Sequence, residues 1–294
     1  MGHSYPSGLK TDPVRQSYDW CRQLAKERAQ NFYYSFVLLS SKQHDAMCAV
    51  YAFMRVCDDL SDAPGMTLPQ RHEALANWRR DLDLALGGLK TMPRHPVWLA
   101  LYDAVLKFRI PRQYLHEMID GVTSDLEFTA PRTFPELYRY CYQVASVVGL
   151  TITHIFGFRS PEALPLAEKC GVAFQITNIL RDVKEDAANG RIYLPAEDLE
   201  RFGVAPEQLH QGPRDEKFKA LMRFQAERAR GLYEESRPLT ELVERSSRAS
   251  LRALIEIYSQ LLDRIVASDF DVLDRRIALS KYEKIWILVR ERFR

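Results

Sequence analysis

The run Gln175-Ile176-Thr177-Asn178-Ile179-Leu180-Arg181-Asp182-Val183-Lys184-Glu185-Asp186 has helical apolar spacing and ends with two aspartates four positions apart, before Asn189-Gly190 stops it. Positions i and i+4 of an α-helix share one face about one turn apart, so Asp182 and Asp186 can grip the same object. The arrangement occurs a second time upstream, in Tyr51-Ala52-Phe53-Met54-Arg55-Val56-Cys57-Asp58-Asp59-Leu60-Ser61-Asp62, where Asp58 and Asp62 stand in the same relation. Both placements oppose local stability. Like charges at i,i+4 repel by a few tenths of a kcal/mol, and carboxylates in a last turn face the negative end of the helix dipole. One such pair is an ordinary solvated helix end. Two, each with an apolar turn and an arginine beside it, read as carboxylate pairs facing one another across a cavity. Mg²⁺ shared with substrate phosphates needs that donor set, because it keeps several waters and takes only one or two protein carboxylates.

Outward from these runs the apolar spacing stays helical. Thr11-Asp12-Pro13 starts a helix, Ser40-Ser41 caps the one that ends at residues 58–62, and Leu68-Pro69 restarts the chain. Helices are predicted over 70–89, 97–108 and 112–128, and Thr133 three residues before Glu136 predicts a capping box. Residues 191–195 read as a short extended lid or turn and 202–215 as a loop; helical patterns follow at 216–242, 246–268 and 275–293. There is no β alternation of useful length, no repeat and no composition shift. The expectation is one all-α domain over residues 1–294, with 1–12 a flexible N-terminal segment.

The 294 residues are 46% hydrophobic and 27% charged, enough for a substantial core. A net charge of +2 without basic blocks excludes a nucleic-acid platform. Cys21, Cys48, Cys57, Cys141 and Cys170 show no C-x-x-C spacing and read as reduced, buried thiols. Residues 1–13 lack an apolar signal core, and the greasiest stretch, 144–158, is interrupted by Ser146, Thr151, Thr153 and His154. A soluble, cytoplasmic protein is expected, with peripheral membrane contact left open for a lipid ligand and the oligomeric state not legible.

An all-helical shell with two inward carboxylate pairs suits a diphosphate ester carrying a long apolar tail. Mg²⁺ held by Asp58, Asp62, Asp182 and Asp186 would neutralise charge building on the leaving group. Arg55 stands one turn before Asp58 and Arg181 abuts Asp182. Each either forks a phosphate oxygen or pairs with carboxylates on its own helix, and both readings stay open. The allylic cation left behind must be kept from water and faced by π systems and dipoles. Phe32, Tyr51, Tyr142, Gln175, Asn178 and Tyr258 are the candidates. Aromatics at helical spacing are more often core, whereas two amides at i and i+3 in an apolar run need partners if buried. Cys57 and His154 read as packing, and zinc spacing, P-loops and dinucleotide fingerprints are absent.

Three stretches resemble the squalene/phytoene synthase family, whose members join two prenyl diphosphates head to head. Residues 175–195 follow its glutamine, spaced asparagine, RDxxED and GRxYLP pattern; 51–62 match its first aspartate-rich motif; Tyr140-Cys141-Tyr142 to Gly149 match its YCYxVAxxVG helix. The resemblance runs from Asn31-Phe32 to Lys281. It implies an isoprenoid-synthase-type bundle around a central cavity, with Mg²⁺ and diphosphate at the four aspartates. It also implies diphosphate contacts from Arg55, Arg181 and Tyr258, and places Tyr51, Gln175 and Asn178 near the reacting carbons. The family reaction forms a cyclopropylcarbinyl diphosphate first; whether this chain completes the second step, or uses NADPH there, is open. Where many members carry Ser-Lys/Arg-Ser/Thr, this chain has Ala29-Gln30-Asn31, and Arg28 is the candidate replacement for the lost phosphate contact. Phe36 lies one turn after Phe32, at a site that looks bulky in C30-forming relatives and small in phytoene synthases. The expected substrate is therefore farnesyl diphosphate, giving presqualene diphosphate, squalene or dehydrosqualene. The alternative is a phytoene synthase using two geranylgeranyl diphosphates. A terpene cyclase would not need the head-to-head motifs, and a non-catalytic scaffold of this fold should have lost aspartates that this chain keeps.

Overall fold

Caps and prolines decide where the helices begin. The computed structural model describes residues 12–29 and 36–294. The Asp12 carboxylate accepts from the Val14 N–H at 3.0 Å and opens α1 (Pro13–Arg28). Ser40 and Gln43 cap one another's backbone at the start of α2 (Ser41–Ser61), and Pro69 sits in the first turn of α3 (Leu68–Gly87). Next come α4 (Val97–Phe108), α5 (Arg112–Ser124), α6 (Phe134–Cys141), a π-type turn over Tyr142–Ser146, α7 (Val147–Phe156) and the long α8 (Ala163–Ala188). The chain then forms α9 (Ala196–Phe202), α10 (Gln208–Gln211), α11 (Glu216–Ser236), α12 (Leu239–Leu242), α13 (Arg248–Ala267) and α14 (Lys281–Phe293). Among the described residues there is no β-sheet; Phe158 and Val243 form an isolated antiparallel bridge. The all-α expectation holds.

Several boundaries differ from the sequence reading, each for a local reason. The 216–242 pattern is two helices, because Pro238 has no N–H to continue α11. The last helix starts at Lys281 rather than 275, since Ser280 and Glu283 cap each other there. The capping box expected at Thr133 is not made: Glu136 instead accepts from the Arg132 N–H at 2.6 Å, and the Phe134 N–H is taken by Glu197 at 2.7 Å. Residues 202–215 contain the short α10. The 191–195 segment is no free lid. Tyr193 and Leu194 are buried, Tyr193 stacking on Tyr140 with centroids 4.8 Å apart, and Phe128 meets it edge-on.

α8 runs through the middle of the described chain. Its first half, Ala163, Ala167 and Cys170, packs into an apolar cluster with α1 to α5 and α7. Its second half, Ile176, Ile179, Leu180 and Val183, joins a cluster with α11, α13 and α14, and Phe174 touches both. The π-type turn is clasped between α5 and α8. A Cβ on Gly121 would lie 2.7 Å from the Gln143 carbonyl oxygen, and one on Gly171 2.6 Å from the Ser146 Cα. Only glycine allows that approach, and it holds this wall of the cavity close to α8.

Candidate active site

Two helix faces with the same spacing build the cavity. α2 contributes Met47, Val50, Tyr51, Met54, Arg55 and Asp58; α8 contributes Ala167, Cys170, Gly171, Phe174, Gln175 and Asn178. Each set runs i, i+3, i+4, i+7, i+8, i+11, a stripe about 16 Å long at 1.5 Å rise per residue. Each stripe also goes from small or apolar side chains to polar ones as the chain advances. The third wall is the π-type turn and α7, through Val144, Ala145, Val148, Gly149, Ile152 and Phe156; Leu239, Leu251, Leu254 and Tyr258 complete it. The cavity volume is about 240 Å³, and Phe36 is buried in its lining.

A second chamber of about 490 Å³ adjoins the first, with Tyr51, Asn178 and Tyr258 lining both. Among the described residues, its walls carry Arg28, Arg181, Arg276 and Lys284 and no carboxylate. An apolar cavity thus opens on a chamber lined by four cationic side chains, a shape and charge suited to an alkyl diphosphate. Burial, and Arg181 next to it, lower the Lys284 pKa, as expected for clustered cations.

Of the sequence-predicted residues, Tyr51, Phe36, Arg55, Asp58, Gln175, Asn178 and Tyr258 all line the apolar cavity. Phe32 lies outside the described residues. Arg55 pairs with Asp59 one turn on, its Nε donating at 3.0 Å, and Asp59 also accepts from Arg28 at 3.1 Å. Arg28, the candidate replacement cation, is therefore tethered at the chamber wall. Arg181 forks Asp182, with Nε 2.8 Å from Oδ1, and Arg276 reaches the same Oδ1 at 3.2 Å. Both arginines make the ion pairs that were one of their two readings, and both still line a pocket. The Gln175 and Asn178 amides meet at 3.4 Å, and Asn178 also faces the Tyr258 phenol. Its buried Oδ1 has no hydrogen-bond partner among the described residues, which leaves a carbonyl dipole at the junction of the two chambers.

Tyr142 is a correction. Its hydroxyl donates to Glu117 of α5 at 2.9 Å, and it lines neither chamber. The π-type turn begins at Tyr142 and departs from the 3.6-residue phase, so helical spacing misplaces this side chain. Tyr140 stacks on Tyr193 and lies against Asp125, a carboxylate that the sequence reading missed. Asp125 also lies near Asp62 and Arg191, and Arg191 in turn lies near Asp186. These two residues therefore link the α2 aspartates to the α8 aspartates. Cys57 is buried and His154 sits edge-on between Tyr114 and Phe158, both as packing residues.

A divalent cation fits the carboxylates. Burial, reinforced by Asp62, Asp59 and Asp125, pushes the Asp58 carboxyl up to about 6 against the opposing pull of Arg55. Burial, then Asp182 and Glu185, pushes Asp186 up to about 7. Burial likewise raises Asp125, whose Oδ1 is buried without a hydrogen-bond partner among the described residues. Crowded carboxylates of this kind are relieved by a cation. Among the described residues no three such side chains gather tightly enough to bind an ion alone. That suits an ion that shares its coordination with phosphate and water.

The family description Squalene/phytoene synthase matches residues 25–283. The chloroplastic phytoene synthase of Daucus carota is 34% identical over 287 residues, covering 95% of this chain and 71% of that protein. The 15-cis-phytoene synthase of Synechocystis is 34% identical over 297 residues, covering 96% and 86%. Among solved structures, a dehydrosqualene synthase in complex with ligand is 32% identical with a TM-score of 0.86, covering 96% of this chain and 98% of that one. Squalene synthase HpnC from Alicyclobacillus acidocaldarius is 26% identical with a TM-score of 0.81, covering 87% and 95%. The helical architecture is the isoprenoid-synthase-type fold of these neighbours. The chain belongs to the squalene/phytoene synthase family, and it is a prenyltransferase.

Proposed function

We propose that this chain condenses two molecules of geranylgeranyl diphosphate head to head, as a phytoene synthase. The observation that carries the condensation is the apolar cavity opening on a cationic chamber, with raised aspartate carboxyls at that end. The C20 substrate is favoured because relatives named phytoene synthase match at 32–34% identity over 92–96% of the chain. That reverses the preference drawn from Phe36 alone.

The prenyl tails lie along the α2 and α8 stripes, where apolar burial holds them and excludes water. Arg28, Arg181, Arg276 and Lys284 orient the diphosphates in the second chamber. Mg²⁺, held by Asp58, Asp62, Asp182 and Asp186, would act as a Lewis acid toward the leaving diphosphate. Asp182 is now shared by two arginines, so those cations hand it over or move with the diphosphate. Tyr51, the Asn178 carbonyl and Tyr258 stand at the junction of the chambers, with Gln175 beside Asn178 in the apolar wall, near the carbon from which diphosphate departs.

A second reading keeps farnesyl diphosphate and a C30 product, with squalene formation drawing on NADPH. A specific observation favours it: Phe36 is a buried ring in the cavity wall, facing His44 edge-on at 6.4 Å. Incubation with Mg²⁺ and each diphosphate separately, with and without NADPH, followed by identification of the extracted product, decides between them. A C40 product from geranylgeranyl diphosphate is expected. A C30 product only, with C40 product appearing in Phe36→Ala, establishes the second reading; no product from either diphosphate overturns both.

A further inference from the structure

α14 is apolar on two sides, and only one of them is covered. Ile287, Leu288 and Glu291 are buried toward α13, while Lys284 lines the cationic chamber. The opposite face carries Tyr282, Ile285, Trp286, Val289 and Phe293, spaced i, i+3, i+4, i+7, i+11, a single helical face. Tyr282 is 86% exposed, Trp286 61% and Phe293 82%. Of the eleven large apolar side chains left exposed among the described residues, five sit on this one helix, so the face is a patch rather than scatter.

The charges around the patch are one-sided. Both glutamates of the helix turn to arginines of α13: Glu283 to Arg264 at 3.2 Å and Glu291 to Arg252 at 2.9 Å. Lys281, Arg292 and Arg294 stay exposed, while Arg290, paired with Glu256 at 2.8 Å and with Glu291, covers the Trp286 ring at 5.2 Å. A second copy of this face would set cation against cation, so charge complementarity selects an anionic occupant. Rings with polar tips beside aliphatic side chains and peripheral cations are the make-up of a helix lying in the headgroup layer of a bilayer. No described helix is long and apolar enough to cross one. We propose that α14 docks the enzyme on an anionic lipid surface through Tyr282, Ile285, Trp286, Val289 and Phe293. The docking keeps the neighbouring chamber beside the layer that holds apolar substrate and product. That benefit rests on the proposed function; the surface does not.

Flotation with phosphatidylcholine vesicles, with and without phosphatidylglycerol, tests it on the full chain. Binding is expected to vesicles containing phosphatidylglycerol, weakened by salt, with a blue shift of Trp286 emission that Trp286→Phe removes. The variant Tyr282→Ser/Trp286→Ser/Phe293→Ser should lose about tenfold or more in vesicle affinity. It should keep its unfolding midpoint, and its product yield from detergent-dispersed substrate. Absence of wild-type binding, or equal binding by the variant, overturns the proposal. So does concentration-dependent self-association that the variant abolishes without any vesicle binding. Product formation in detergent reports on the proposed function separately.

Discussion

Asp58 and Asp186 are held in a costly state at the level of single residues, since burial and neighbouring carboxylates favour their protonated forms. Cation binding must expel those protons. Titration of Mg²⁺ with a diphosphate analogue, in two buffers of different ionisation heat between pH 6 and 7, is expected to show net proton release that shrinks in Asp58→Asn and Asp186→Asn. Each substitution should also lower turnover by about a hundredfold or more, read from extracted product. Asp125→Asn tests the linking carboxylate: it should weaken the apparent Mg²⁺ affinity by about 10- to 100-fold with a much smaller effect on folding. Asp58 and Asp186 could be singled out in the sequence because their spacing works against helix stability. Asp125 could not. It closes a helix alone, and its importance comes from Tyr140 and Arg191, 15 and 66 residues away in the chain.

Helix boundaries were legible wherever local chemistry decides them, as at Asp12-Pro13, Ser40-Ser41 and the stop at Asn189-Gly190. They were misread where a distant partner intervened, as when Glu197 took the Phe134 N–H that Thr133 and Glu136 were expected to organise. The π-type turn is the costliest case, because a single departure from the 3.6-residue phase carried Tyr142 out of the site. Its grip between α5 and α8 gives a direct test. Gly171→Ala pushes a methyl into the Ser146 backbone and should cost about 1–3 kcal/mol of stability by denaturant titration. Because Gly171 also lines the cavity, substrate KM should rise in the folded variant. Ser280→Ala removes the α14 cap and should cost about 1 kcal/mol without changing turnover.

Across the whole molecule, the raised carboxyls make stability depend on pH and metal together. Folded Asp58 and Asp186 hold protons above their usual 3.8, up to about 6 and 7, so the folded chain binds more protons than the unfolded one in that window. Their contribution is complete below the usual value and is lost as pH rises through the folded values. Without Mg²⁺, the melting temperature should therefore lose this contribution between about pH 4 and about pH 7, and Mg²⁺ with diphosphate should restore most of the loss at the upper end. Equal melting temperatures with and without the cation at the upper end would remove the link between these aspartates and metal.

The sequence by itself determined the all-helical class, the two carboxylate pairs and the amide-bearing turn before one of them, because each is a matter of spacing along a single helix. Only the tertiary structure decided that Arg276 and Lys284 line one chamber with Arg181, that Asp125 and Arg191 lie near both aspartate pairs, and that the Tyr142 hydroxyl goes to Glu117. Those relations hold between side chains from separate helices. Their positions follow from how α8 packs against α11, α13 and the π-type turn, which no local period encodes.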